Sequence, residues 1–280
     1  MRDAFLLVFF LLICGCHDRA MVQLDRLPYA PDNSLVRIEK FVQNCYIQLL
    51  GRKADSGETA YWNAQLKDSR LSYASAERLI DSLLRHPEYR QHQYLLARNE
   101  LMNFIFNPDS AEIEKTIKIW EEAERNEAGR KEISRLRALQ AIPRDLLTGN
   151  LDNIGLHKRL VHNSYYDFIN MGTENFVVSM YHNFLDRNPT TFELEQGKKM
   201  VDGFPAILDY QSGASKEDFI NLFFESYAYF EGQVRKAFLR LLYREPTPEE
   251  SVFFTLQYKK NRNYEQLLKS LLLYETFKQP

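Results

Sequence analysis

The segment Tyr46-Ile-Gln-Leu-Leu-Gly-Arg52-Lys-Ala-Asp55-Ser-Gly-Glu58 sets a pattern that returns further along the chain. One return is Tyr181-His-Asn-Phe-Leu-Asp-Arg187-Asn-Pro189-Thr190-Thr-Phe-Glu193, and another is Phe238-Leu-Arg-Leu-Leu-Tyr-Arg244-Glu-Pro246-Thr247-Pro-Glu-Glu250. A worn copy, Glu100-Leu-Met-Asn-Phe-Ile-Phe106-Asn-Pro108-Asp109-Ser-Ala-Glu112, has Phe106 in place of the arginine. Each copy reads as an apolar helix end, a tight turn and a capped second helix. The oxygen-bearing side chain of Asp55, Asp109, Thr190 or Thr247 accepts from an orphan amide at the third helical position. Glu58, Glu112, Glu193 or Glu250 reaches back to the amide of the cap residue. Pro108, Pro189 and Pro246 discourage the first helix from continuing, and Pro248 suits the first position of the second. Arg52, Arg187 and Arg244 are read as ending the first helix, where a cation suits the helix dipole and meets the first-turn glutamate of the next. An Arg/Glu pair also fits catalysis or anion binding. Its recurrence at corresponding turns favours a clip that fixes an interhelical angle.

The 280 residues suffice for one large or two small cores, and the hydrophobic (45%) and charged (26%) fractions are those of a folded body. A formal net charge of −2 gives no electrostatic footprint for nucleic acid. Apolar residues recur at helical spacing, as in Ala76, Leu79, Ile80, Leu83 and Leu84, and no alternating strand pattern is found. The expected fold is all-α, with about four divergent tandem helical units in an elongated or two-lobed array. Units 1 and 2 form a domain over 34–172, and units 3 and 4 a second over 173–280, with the joint at Met171-Gly172-Thr173. The charged run from Trp120 through Gln140 marks a helical insertion over about 120–148, either a solvated face or a partner-docking arm. His86-Pro-Glu-Tyr89, Asn163-Ser-Tyr-Tyr166, Ser226-Tyr-Ala-Tyr229 and Tyr274-Glu-Thr-Phe277 are read as closing the four units.

The N-terminus carries an address. Ala4 to Cys14 is an apolar run too short for a comfortable membrane span and fits a signal-peptide core. It ends in Ile13-Cys14-Gly15-Cys16, which resembles the bacterial lipobox, although Asp3 beside Arg2 weakens the positive start. That resemblance implies cleavage after Gly15 and acylation of Cys16, with residues 16–33 as a tether; a plain secretory signal or an anchor helix is the alternative. His17, rather than Asp, after Cys16 points to the outer membrane under the sorting rule of enteric bacteria. The remaining cysteine, Cys45, shares a helical face with Phe41, Val42, Tyr46 and Leu49 and reads as core filler rather than a catalytic thiol.

Through Phe41-Val42, Tyr46, Leu49-Leu50-Gly51-Arg52, Asp55, Gly57, Tyr61-Trp62 and Leu66, the first copy resembles the bacterial domain of unknown function "forty-two fourteen". It is similar, more distantly, to the phycobilisome linker domain. The resemblance covers residues 35–92. It extends to 174–230 and 234–277 without the Gly and Tyr-Trp elements, and touches 94–166 weakly. Ala54 stands where the family has Pro. The resemblance implies an assembly or adhesion module and transfers no catalytic residue.

No Walker loop, dinucleotide glycine fingerprint, nucleophile elbow or helical zinc pair is present, so no catalytic, cofactor-binding or metal-binding residue is assigned and no cofactor is expected. The expectation is a non-enzymatic envelope lipoprotein that acts as a scaffold or interaction module, with the membrane and an envelope protein as partners. One alternative is a module binding cell-wall glycan or peptide through clusters such as Tyr165-Tyr166-Asp167-Phe168 and Phe223-Phe224-Glu-Ser-Tyr227-Ala-Tyr229, which otherwise pack as core. A second is a glycan-cleaving enzyme with paired carboxylates.

Overall fold

A computed structural model describes residues 35–102, 110–123 and 126–277. Over these residues the fold is all-α: fifteen helices and a single short hairpin. The first group is α1 (Leu35–Leu50), α2 (Ser56–Asp68), α3 (Tyr73–Arg85) and α4 (Pro87–Leu101). α1 buries Ile38, Phe41, Val42, Cys45, Tyr46 and Leu49, the stripe that the spacing predicts, and α2, α3 and α4 pack around it. Next come α5 (Ser110–Ala123), α6 (Glu127–Gln140), α7 (Ile142–Leu147), α8 (Asn153–Val161) and α9 (Ser164–Ile169). The third group is α10 (Thr173–Leu185), α11 (Thr191–Val201) and α12 (Lys216–Glu225), and the fourth is α13 (Tyr227–Leu242), α14 (Pro248–Asn261) and α15 (Tyr264–Phe277). In both, a long helix turns a corner into a second, and a third packs on the pair.

The units do not follow one another along a line. α15 packs on α3, where Lys269 Nζ sits 3.1 Å from Glu77 and 3.2 Å from Asp81. Arg90 pairs with Glu265, and Arg37 donates to the Thr276 carbonyl at 3.2 Å. α13 joins the third and fourth groups by crossing the end of α10. Gly232 makes that crossing possible, because a Cβ there would lie 2.3 Å from the Phe184 carbonyl oxygen. One continuous apolar cluster runs from Ile38 to Phe277.

Three expectations are corrected. Although no alternating strand pattern is found in the sequence, β1 (Ala206–Leu208) and β2 (Gln211–Gly213) form an antiparallel hairpin, turned by Asp209 (φ 48°) and Tyr210 (φ 62°). Two positive φ values at the central residues are the twist-compatible solution for a two-residue loop. Secondly, three segments read as closing units instead open helices. His86, Asn163 and Ser226 cap α4, α9 and α13, and the tyrosine three residues on (Tyr89, Tyr166, Tyr229) is buried each time. Thirdly, the charged run is helical but not wholly solvated. α6 packs on α5 and buries Leu136, Leu139 and Glu132, whose carboxylate accepts from the Ser164 amide at 2.7 Å. Glu127 pairs with Lys131 at 2.7 Å as its spacing predicts, whereas Glu121 reaches across to Arg137 at 2.9 Å. The aromatic clusters take the core reading given for them: Tyr165, Tyr166, Phe223, Phe224 and Tyr229 are buried.

Candidate functional site

The three arginine corners share one geometry. Each first helix ends at a leucine (Leu50, Leu185, Leu242), and the next residue takes the left-handed conformation: Gly51 at φ 75°, Asp186 at 51° and Tyr243 at 56°. That turn places the arginine just beyond the helix rather than in its last turn. The guanidinium donates to the carbonyl of the following residue, at 3.1 Å (Arg52 to Lys53), 3.0 Å (Arg187 to Asn188) and 3.1 Å (Arg244 to Glu245). It then grips the glutamate six residues on with two bonds: Arg52–Glu58 at 2.7 and 2.9 Å, Arg187–Glu193 at 2.8 and 2.8 Å, and Arg244–Glu250 at 2.7 and 2.9 Å. The same glutamates complete capping boxes with Asp55, Thr190 and Thr247.

Beneath each guanidinium lies an aromatic ring six residues back: Tyr46 at 5.5 Å, Tyr181 at 5.0 Å and Phe238 at 5.1 Å. This third partner was missed from sequence, although the aromatic recurs at a fixed offset. The first and fourth corners add a second acid from a later helix, Glu88 to Arg52 at 2.5 Å and Glu275 to Arg244 at 3.1 Å. Hydrogen bonds from Arg52 hold the Glu58 and Glu88 carboxyls below the usual range. At Glu193 burial opposes ionisation, but Arg187 and the Thr190 amide outweigh it and its carboxyl also sits low. Carboxylates held ionised in this way are not poised as general acids. Each corner closes on itself as a clip. Of the worn copy, Glu112 lies exposed in the first turn of α5, while Asp109 and the expected lipidation site Cys16 fall outside the described residues.

Two concave surfaces were not foreseen. The larger, about 680 Å³, lies where α4, α8, α13 and the ends of α10 and α15 converge. Gln93, Asn153 and Gln233 line it, each less than a tenth exposed. Gln93 Nε2 donates to Asn153 Oδ1 at 2.9 Å, and among the described residues the buried Gln93 Oε1 and Gln233 Nε2 have no protein partner. His157, also in the wall, is bonded through Nδ1 to the Tyr229 hydroxyl at 2.8 Å, and burial pushes its pKa down to about 3, so the ring is neutral. Lys236 is taken up by Glu100 and the Asn183 carbonyl, with Asp186 at 3.9 Å. The smaller, about 300 Å³, lies under the hairpin between Tyr181, Leu185, Phe192, Ile207 and Phe223. Tyr210 overhangs it, 99% exposed, and Phe192 is 60% exposed.

Cys45 is buried core, and burial raises its thiol pKa far above the ordinary value. Among the described residues no cluster of His, Cys, Asp and Glu could hold a metal ion, and no helix is long and apolar enough to cross a membrane.

With the first corner in view, the family comparison becomes readable. Residues 33–76 match the model of the domain of unknown function DUF4214. The DUF4214 match spans α1, the first corner with Arg52, Asp55 and Glu58, α2 and the start of α3. The Arg187 and Arg244 corners lie outside the DUF4214 match and are related to the first by geometry. No curated protein and no solved structure matches the chain.

Proposed function

We propose that the chain is a non-enzymatic scaffold of a bacterial envelope, exported, anchored through a lipid on Cys16 and held off the membrane by residues 16–33, with the outer membrane as its site. The observation that carries the scaffold reading is the threefold repetition of a self-satisfied clip. Three guanidinium groups at separate turns each grip the capping glutamate of their own corner, and two of them also tie in an acid from a later helix, which fixes helix angles and leaves broad helical surfaces for a protein partner. Affinity isolation from detergent-solubilised envelope tests it: a stoichiometric protein partner supports the reading, and hydrolytic activity of the purified body rejects it. Cys16→Ala is expected to release the protein from the membrane fraction.

A second reading, glycan binding, is favoured by the cleft under the hairpin, where Phe192 and Tyr210 offer exposed rings. Retention on cell-wall glycan that Tyr210→Ser abolishes would select it over pure scaffolding.

A further inference from the structure

We propose that the cleft under the hairpin holds an alkylammonium group, as at the end of a lysine-like side chain, with its methylene stem on the cleft floor and its charge beside Asp209, Phe192 and Tyr210. The charge of the lining selects a cation. The lining includes Glu193 and Asp209 and holds no Lys or Arg. Arg187 offsets Glu193 through its two-bond grip, whereas Asp209 has no hydrogen-bond or ion-pair partner among the described residues, so one negative charge is left over. That charge is felt at the cleft floor: burial first, then Glu193 and Asp209, raise the pKa of the Tyr181 hydroxyl against the opposing Arg187.

The apolar surfaces select the rest of the ligand. Tyr181, Leu185, Leu208 and Phe223 form the floor, each less than a tenth exposed. Such a floor suits methylene groups rather than the water shell of an inorganic cation. Phe192 and Tyr210 bring exposed rings to the rim, and an aromatic face attracts an ammonium. The volume, about 300 Å³, is at the small end of the range for small-molecule sites and takes one such side chain. The turn supplies an independent reason. A two-residue loop of this hand favours glycine at its second position, yet Tyr210 stands there at φ 62° with its ring in solvent. Strain held by a side chain that packs on nothing points to a use for that side chain. The inference does not rest on the scaffold reading; it shares its cleft with the glycan reading and differs from it in the occupant, which the test separates.

The test is calorimetric titration of the full chain at low salt with Nα-acetyl-L-lysinamide, Nα-acetyl-L-norleucinamide (which lacks only the ammonium), n-pentylamine and N,N′-diacetylchitobiose. The lysinamide is expected to saturate in the millimolar range and to bind about tenfold more tightly than the norleucinamide, the gain from one partly exposed charge and its aromatic contacts. Asp209→Asn keeps a residue that tolerates the left-handed conformation and should cut that preference about threefold or more. Tyr210→Gly should weaken the lysinamide about threefold or more while melting above the parent, which separates loss of the ligand from loss of the fold. Pentylamine tighter than the lysinamide marks a free amine as the natural source, and weaker marks a side chain of a peptide; both uphold the class. No saturation by the lysinamide at about 50 mM, equal binding of the norleucinamide, tighter binding of the chitobiose, or parent-like binding by either variant overturns it.

Discussion

Glu250→Ala should be the most damaging change at any of the three clip glutamates. Glu250 is only 7% exposed, and it accepts two bonds from Arg244 (2.7 and 2.9 Å) and one from the Thr247 amide (2.9 Å). A hydrogen bond to a charged group nets about 1.5–3 kcal/mol, and two bonds to one guanidinium do not simply add. Loss of the cap's return bond costs about 0.5–1 kcal/mol more. Arg244 keeps Glu275 and is 29% exposed, so water and the remaining acid recover part of the loss. The expected cost is about 2–3 kcal/mol. The third corner is an internal control in the same chain. Arg187 is 41% and Glu193 23% exposed, so Glu193→Ala should cost about 1 kcal/mol. Glu250→Gln preserves an acceptor for the Thr247 amide and should fall between the two. Urea unfolding followed by far-UV circular dichroism reads the difference as a midpoint shift at constant slope. If Glu250→Ala costs no more than Glu193→Ala, or both stay within about 0.5 kcal/mol of the parent, the clips do not hold the corners.

Three further outcomes are expected. His157 and His162 are both held down to about 3 by burial, so below about 6.5 the unfolded chain takes up protons that the folded chain refuses. Stability is therefore whole above that pH and falls as pH drops towards 3, by up to about 1.4 kcal/mol per pH unit for each ring, and His157→Gln should flatten the urea-midpoint profile. Gly232→Ala should destabilise by about 1–3 kcal/mol despite the better helix propensity, because its Cβ meets backbone at 2.3 Å. Gly57→Ala, whose Cβ meets only Asp55 Oδ1 at 3.4 Å, should instead stabilise by up to about 1 kcal/mol, and thermal midpoints separate the pair. Tyr210→Gly should raise the thermal midpoint by the equivalent of about 0.5–1 kcal/mol, since a tyrosine at φ 62° is strained and glycine is not.

Much of this was legible in the sequence because it is local. Asp55/Glu58, Thr190/Glu193 and Thr247/Glu250 are three residues apart, and the caps follow from spacing alone. The hairpin was not legible. Its strands are three residues long, too short to alternate, and its turn is Asp209-Tyr210 instead of a glycine-bearing pair. Nor was the amide-lined cleft. Gln93, Asn153 and Gln233 are unremarkable helical polar residues in separate groups, and only the closure of α15 and α4 around α13 and α8 brings them to one wall. The capping segments are hard to read for a subtler reason: His86 and Ser226 follow an apolar helix so directly that an N-cap resembles an ending.

The seam between α15 and α3 bears on the order of events during synthesis. The surface of α3 that meets α15 emerges early, yet its cover is made much later: Glu77 and Lys269 lie 192 residues apart. Until then the first group carries uncovered apolar side chains and the uncompensated acids Glu77 and Asp81. Completion of the first group therefore waits on a contact across 192 residues, which slows that step and exposes the partly built molecule to aggregation or proteolysis. A chain cut short before α15 loses the cover of α3 as well as the partner of α13.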